Sequence, residues 1–229
     1  MRLPSEVPTD PLEIGVDESG RGSIISSVVA GAVVMPPLSA IPDDKLPLYM
    51  AITDSKALSA KRRDQLAAFI KEYAIAWGVG VVNAAEVDRV NILQATYNAM
   101  HHAIEQVMNT IDQRAHTRIL VDGNRFRPYK DIESECIVKG DAKELCIAAA
   151  SIVAKTTHDQ IIKDLVASDP DTYTRYGLLS NMGYGTKAHI EAIGKYGYTS
   201  EHRRSFKLKG LHSNDGLVPS ESSQKTPIL

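Results

Sequence analysis

The chain has little cysteine, no long apolar run, and no excess charge of either sign. Its two cysteines, Cys136 and Cys146, flank a Gly-Asp turn signal and match neither a zinc knuckle nor a disulfide framework, so both are read as reduced thiols of the core. The most apolar stretch, SIISSVVAGAVVM, is too short and too serine-rich to span a bilayer, and the leading MRLPSEVPTDPLE carries three prolines and no signal-type apolar region. A cytoplasmic protein is expected. With 26 Lys and Arg against 28 Asp and Glu, composition neither predicts nor excludes a polyanionic partner, and the distribution of charge must decide. There is no GxxxxGK[ST] loop, no GxSxG elbow, no HExxH helix and no internal repeat, which removes the central residues of nucleotide-triphosphatase, esterase and zincin chemistry.

What is present is a globular pattern. At 229 residues and 43% hydrophobic, the chain can bury one sizeable core with a small appended subdomain. Leu12 to Val16 and Val28 to Met35 are Val-rich runs bounded by Gly, Ser and Pro, and are expected to pair as an antiparallel hairpin around residues 19 to 27. Leu66, Phe69, Ile70 and Tyr73 recur at helical spacing after Ser59, a candidate N-cap, and the strand WGVGVV follows. From Asn91 an apolar face predicts a helix of about five turns. RILVDG then reads as a strand stopping at Asp122, and ECIVKGD as a strand closing on Asp141. A long Ala-rich helix ends before Asp169-Pro170, its AAAS run (Ala148 to Ser151) suited to close approach to a sheet, and Thr186 caps a shorter helix that Gly197 terminates. These elements predict an α/β protein with a mixed central sheet flanked by helices and a small C-terminal helical subdomain. The expected division is a core over 1–168, a helical region over 169–210, and a flexible tail over 211–229.

Asp17, Glu18, Asp122 and Asp141 each lie at or just past the end of a strand-like apolar run. Two unit charges about 4 Å apart repel by roughly 4 kcal/mol at an effective dielectric near 20, so four converging carboxylates either take up protons or bind divalent cations. Oxygen ligands without His or Cys favour Mg²⁺ or Mn²⁺ over zinc, and two such ions about 3.5 to 4 Å apart suit an in-line displacement at phosphorus. Taken singly, each carboxylate also has a structural reading: Asp122 before Gly123 as a turn residue, Asp141 with Glu144 as a capping box. The adjacent pair Asp17-Glu18 resists that reading, since neighbours in a regular strand point to opposite faces. A strand ending at this point would free both for one site.

Gly20-Arg21-Gly22 allows backbone amides to approach a ligand and supplies a guanidinium fork, although two glycines one residue apart are common in turns. Basic residues cluster at Lys187, Lys195, Arg203, Arg204, Lys207 and Lys209, and again at Lys56, Lys61, Arg62 and Arg63, as either a polyanion-binding stripe or a solvated face. Tyr184 in GYGT could stack on a sugar or base, or fill a turn. His158, His189 and His202 read as surface or helix residues without a second ligand at metal spacing. Two function classes remain open on these residues: a metal-dependent phosphodiester hydrolase and a nucleotide-dependent oxidoreductase using the glycine loop. The oxidoreductase lacks GxGxxG and has acids where an apolar strand should run.

Taken in order, GVDESGRG, DSKALSAKRR, NILQATYNAM, ILVDGNR, VKGDAKELCIAAASIVAK, GYGTKAH and HRRSF resemble bacterial ribonuclease HII, a type 2 ribonuclease H, over roughly Ile14 to Phe206. The resemblance implies an RNase H-like fold and endonucleolytic cleavage of the RNA strand of RNA–DNA hybrids, with a non-catalytic RNA–DNA hybrid-binding protein, which would tolerate loss of the carboxylates, as the alternative. It also implies nicking 5′ of single ribonucleotides in duplex DNA, leaving a 3′-hydroxyl and a 5′-phosphate. By resemblance Asp17, Glu18, Asp122 and Asp141 hold Mn²⁺ or Mg²⁺, two ions with substrate bound. Gly20, Arg21 and Gly22 contact the ribose 2′-hydroxyl and its phosphate, Tyr184 packs on the sugar, and Lys56 lies near the backbone. A monomer without an obligate protein partner or membrane attachment is expected. The chain departs from the family pattern at Ser23 to Ser27, where Pro and small residues are usual, and at Met182, where a Lys is common.

Overall fold

The computed structural model describes residues 11–112 and 116–208; the expected tail over 211–229 and Lys209 lie outside them. Five strands form one sheet in the order β3-β2-β1-β4-β5. They are β1 (Leu12–Ser19), β2 (Val28–Val34), β3 (Ala76–Val82), β4 (Thr117–Asp122) and β5 (Glu133–Ile137). The first three are antiparallel neighbours, while β4 lies parallel to β1 and β5 parallel to β4. The helices are α1 (Leu46–Tyr49), α2 (Ala60–Tyr73), α3 (Ala84–Val90), α4 (Ile92–Met108), α5 (Leu145–Ser168), α6 (Pro170–Tyr173), α7 (Leu178–Asn181) and α8 (Lys187–Tyr196). The mixed sheet, the hairpin and the long Ala-rich helix are as expected from sequence.

Strand alternation sorts the two faces. Ile14 and Val16 of β1, with Val28, Ala30, Ala32 and Val34 of β2, face α4 and pack on Ala99, Met100, Ala103 and Ile104. The opposite face receives α5, whose Ala148 to Ala150 pack with Val33 and with Leu66, Phe69 and Ile70 of α2. This contact is close because β1 and β2 offer glycine there: a Cβ added at Gly15 would overlap the backbone of Cys146 and Ile147, and one at Gly31 would meet the Ala150 carbonyl. The AAAS run therefore serves the close approach its composition predicts. A third apolar cluster joins Ile24 and Ile25 to Ile162 of α5, Leu178 of α7 and Ile193 of α8, so the isoleucines that depart from the family pattern are packed inward.

Ser59 and Thr186 cap their helices as expected, accepting from the Arg62 and His189 amides, and Asn91, expected only as a helix start, also caps, accepting from Leu93 and Gln94. Three expectations fail locally. First, β1 does not end at Val16 but continues through Asp17, opposite Gly31, and Glu18, opposite Ala30, because the small partners and a continuous ladder tolerate acids in the strand. Second, β5 ends at Ile137; Asp141 sits in a single 3₁₀ turn, Gly140–Ala142, and Glu144 N-caps α5 without a side-chain bond, so no capping box forms. Third, Cys136 is exposed on the edge strand β5, and only Cys146 is a core thiol.

Candidate active site

At the β1 and β4 ends nearest α5, ligand atoms of Asp17, Asp122 and Asp141 lie within 4.8 Å of one another. Asp17 shares the α5-facing side of β1 with Gly15, and Asp122 shares that of β4 with Leu120, which packs on Cys146 and Ile147. The turn after β5 supplies Asp141 and is tied back to the sheet by the Gly140 amide, which donates to Asp122 Oδ1 at 2.7 Å. Glu18 points to the other face and stands outside this trio. It lines a cavity of about 150 Å³ with Leu93, Thr96 and Asp122, and its Oε1 lies 3.5 Å from Arg21.

Burial, reinforced by the neighbouring charges of Glu18 and Asp122, raises the Asp17 pKa well above the ordinary carboxylate value. Burial also raises Glu18, against the pull of Arg21 and with help from Asp122. Asp141 is raised by burial and then by Asp122 and Asp54. Without a cation, these groups resist simultaneous ionisation. Lys56 offsets part of the charge from 3.8 Å; burial lowers its pKa, but the attraction of Asp17 and Asp141 raises it overall. A compact set of hard oxygen donors whose mutual repulsion a cation would relieve fits Mg²⁺ or Mn²⁺.

A groove of about 430 Å³ runs beside the trio, lined by Asp17, Glu18, Gly20, Arg21, Gly22, Lys56, Lys155 and Tyr184. All five sequence-predicted substrate-contacting residues thus line one groove. Tyr184 reaches it because its backbone bridges Ser23, directly after the glycine loop. Lys155 went unnoticed in sequence. Its ammonium lies 5.4 Å from the centroid of the Tyr184 ring and 2.7 Å from Asp159, and the VAK segment gave no signal that this side of α5 meets the groove.

The basic residues separate into different roles. Arg63 donates to the Ser55 and Leu58 carbonyls and lies 3.6 Å from Asp159, Arg62 bonds Gln65, and Lys187 faces Glu191. Arg203 is fully buried and leaves the expected surface stripe. His158, His189 and His202 are buried rather than surface residues. The Thr199 amide donates to His202 Nδ1 at 2.9 Å, which puts the His202 proton on Nε2. That proton is donated to His189 Nε2 at 3.2 Å, and His189 Nδ1–H then donates to the Tyr184 carbonyl at 3.1 Å. Both rings must be neutral for this chain of bonds behind Tyr184.

An acidic trio drawn from β1, the end of β4 and the turn after β5 of a mixed five-stranded sheet fits one class: a divalent-metal nuclease on an RNase H-like fold. The loop Gly20–Gly22 leads into an antiparallel strand, not into the helix that a dinucleotide site requires, which removes the oxidoreductase alternative. The sequence pattern of the family described as Ribonuclease HII matches residues 14–209. A ribonuclease HII of Parabacteroides distasonis is 44% identical over 200 residues, covering 87% of this chain and 92% of that one. Among solved structures, ribonuclease HII in the PCNA complex from Archaeoglobus fulgidus superposes with a TM-score of 0.64 at 22% identity, covering 89% of this chain and 99% of that one. Bst-RNase HIII in complex with Mn²⁺ gives 0.63 at 20%, covering 81% of this chain and 61% of that one. The chain belongs to the ribonuclease HII family. It is accordingly a metal-dependent endoribonuclease acting on RNA–DNA hybrids, and no helix among the described residues is long and apolar enough to cross a membrane.

Proposed function

We propose that this enzyme also nicks duplex DNA on the 5′ side of a single embedded ribonucleotide, leaving a 3′-hydroxyl and a 5′-phosphate, and so removes misincorporated ribonucleotides. The observation that carries this reading is the shared groove: the glycine loop, Lys56 and Tyr184 line it together with Asp17 and Glu18. A site that inspects one sugar beside the scissile bond needs these groups within one nucleotide's reach.

In this reading Asp17, Glu18, Asp122 and Asp141 hold two ions, Mg²⁺ or Mn²⁺. Such ions activate a water and stabilise the departing oxygen. The remaining work belongs to the chain itself. Gly20, Arg21 and Gly22 contact the 2′-hydroxyl and the adjacent phosphate. Tyr184 packs on the sugar at the RNA–DNA junction, and Lys56 neutralises backbone charge. The 2′-hydroxyl separates RNA from DNA without any reading of base sequence. We assign the catalytic core to 1–168 and the substrate-positioning helical region, which delivers Tyr184, to 169–210. The enzyme works as a monomer in the cytoplasm, a compartment in keeping with its two free cysteines.

The test is incubation of the full chain with a duplex holding one ribonucleotide, with and without Mn²⁺ or Mg²⁺, beside an all-DNA duplex. The expected product is a metal-dependent cut 5′ of the ribonucleotide. Cleavage of long hybrids with no cut at the single ribonucleotide would refute the finer specificity.

A further inference from the structure

The residue after His202 poses a separate question, because Arg203 is fully buried and makes no salt bridge with a carboxylate among the described residues. A cation out of water needs strong acceptors. Arg203 finds them in the backbone of the glycine loop and its exit: Nη1 donates to the Gly20 carbonyl at 2.8 Å and to that of Arg21 at 3.2 Å, and Nε donates to the Ser26 carbonyl at 2.9 Å. The Arg203 amide also donates to Ile24, and the Ser26 amide to Glu201, so the chain around Arg203 is laced to residues 24–26. The Phe206 ring lies 5.4 Å from the guanidinium carbon. Burial pushes the Arg203 pKa down to about 10, which still leaves it charged at neutral pH.

The consequence follows from peptide geometry. In a trans peptide the carbonyl of one residue and the N–H of the next point in opposite directions. Arg203 draws the Gly20 and Arg21 carbonyls inward, so the N–H groups of Arg21 and Gly22 are turned outward, on the side where both residues line the groove. Among the described residues neither amide has a hydrogen-bond acceptor in the protein. Gly22 has room on the Tyr184 side, where an added Cβ would stand 3.7 Å from the ring.

We infer that Arg203 is a positioning residue for ribonucleotide recognition: its guanidinium clamps the inner carbonyls of Gly20 and Arg21 and thereby aims the Arg21 and Gly22 amides at the substrate sugar and phosphate. This rests on the reading that the Gly20–Gly22 loop contacts the ribose. An ammonium cannot reproduce a fork that serves three carbonyls at once. Arg203→Lys therefore keeps the buried charge and loses the alignment.

The experiment uses the full chain with Mn²⁺ and compares KM for a single-ribonucleotide duplex with the inhibition constant of an otherwise identical all-DNA duplex. Wild type is expected to favour the ribonucleotide duplex. Arg203→Lys should shrink that preference roughly tenfold, the factor one lost hydrogen bond carries, with the all-DNA constant unchanged. A folded Arg203→Lys protein with wild-type preference would overturn the clamp, as would an equal loss of affinity for both duplexes, which a merely structural role produces. Wild type without any preference would instead overturn the loop's role in ribose recognition. Amide hydrogen exchange on wild type covers a variant that fails to fold. The Arg21 and Gly22 amides should exchange freely alone and become protected by the ribonucleotide duplex; protection already present in the free protein would overturn the outward orientation.

Discussion

The His189–His202 pair makes the protein acid-sensitive in a calculable way. Burial, followed by competition with His189 for a proton and by the Arg204 charge, pushes the His202 pKa down to about 3 from its ordinary 6.5. A histidine whose folded pKa is depressed contributes stability that is fully present above the unfolded pKa, because the unfolded chain takes up the proton first as pH falls. That contribution is lost progressively as pH drops from about 6.5 toward about 3. The whole span is worth on the order of 5 kcal/mol, and roughly 2 kcal/mol is gone by pH 5 from this residue alone. His189, whose pKa burial also lowers, adds to the loss. Protonation of either ring sets donor against donor, at the Thr199 amide or between the two Nε2 atoms. The assay is urea unfolding at pH 7 and pH 5 for wild type and His202→Asn, since an Asn side-chain oxygen can still accept from the Thr199 amide. Wild type should lose about 2 kcal/mol more than the variant between these pH values. An equal loss in both proteins would refute the assignment of a buried neutral His202.

Two further outcomes follow from packing and charge. Gly15→Ala drives a methyl into the backbone of α5, which cannot yield without moving the helix that carries Lys155; a loss of about 3 kcal/mol, or roughly 6–12 °C in Tm, is expected by thermal unfolding. Mn²⁺ or Mg²⁺ should raise Tm by relieving repulsion among Asp17, Asp122 and Asp141, with a gain near 2.7 kcal/mol at a hundredfold excess over Kd, and EDTA should reverse it. A metal-independent Tm, or the same rise in Asp122→Asn, would contradict the site.

Much of this architecture was legible in periodicity and caps. Ser59 and Thr186 announce their helices, the apolar face from Asn91 announces α4, and the Val-rich runs announce the sheet, because these signals are local. What stayed hidden depends on partners distant in sequence. Acids at Asp17 and Glu18 looked like a strand end, yet Gly31 and Ala30 across the ladder let β1 continue, and alternation then sends the two carboxylates to opposite faces. Arg203 read as surface charge because nothing near it reveals that residues 201–203 pair with 24–26 and enclose its side chain. His189 lies in a helix as expected, but its burial, like that of His202, is set by the same distant partners. Cys136 resembled a core residue until its strand proved to be the sheet edge. Residue chemistry singles out the glycine loop and Tyr184 separately, but only the family resemblance joins them in one site: Gly22 and Tyr184 are far apart in sequence, and the Ser23–Tyr184 bridge brings them together.

We propose that Asp17, Asp122 and Asp141, whose ligand atoms lie within 4.8 Å of one another, hold the cation on which strand cleavage depends. The most direct test is the cleavage rate of Asp122→Asn on a duplex containing one ribonucleotide, at saturating Mn²⁺, with folding checked by circular dichroism. The substitution keeps an oxygen that can accept from the Gly140 amide while removing the charge, so a folded but inactive enzyme is expected, with the rate down by about 10³ or more. Cleavage at the wild-type rate by the folded variant would contradict the account.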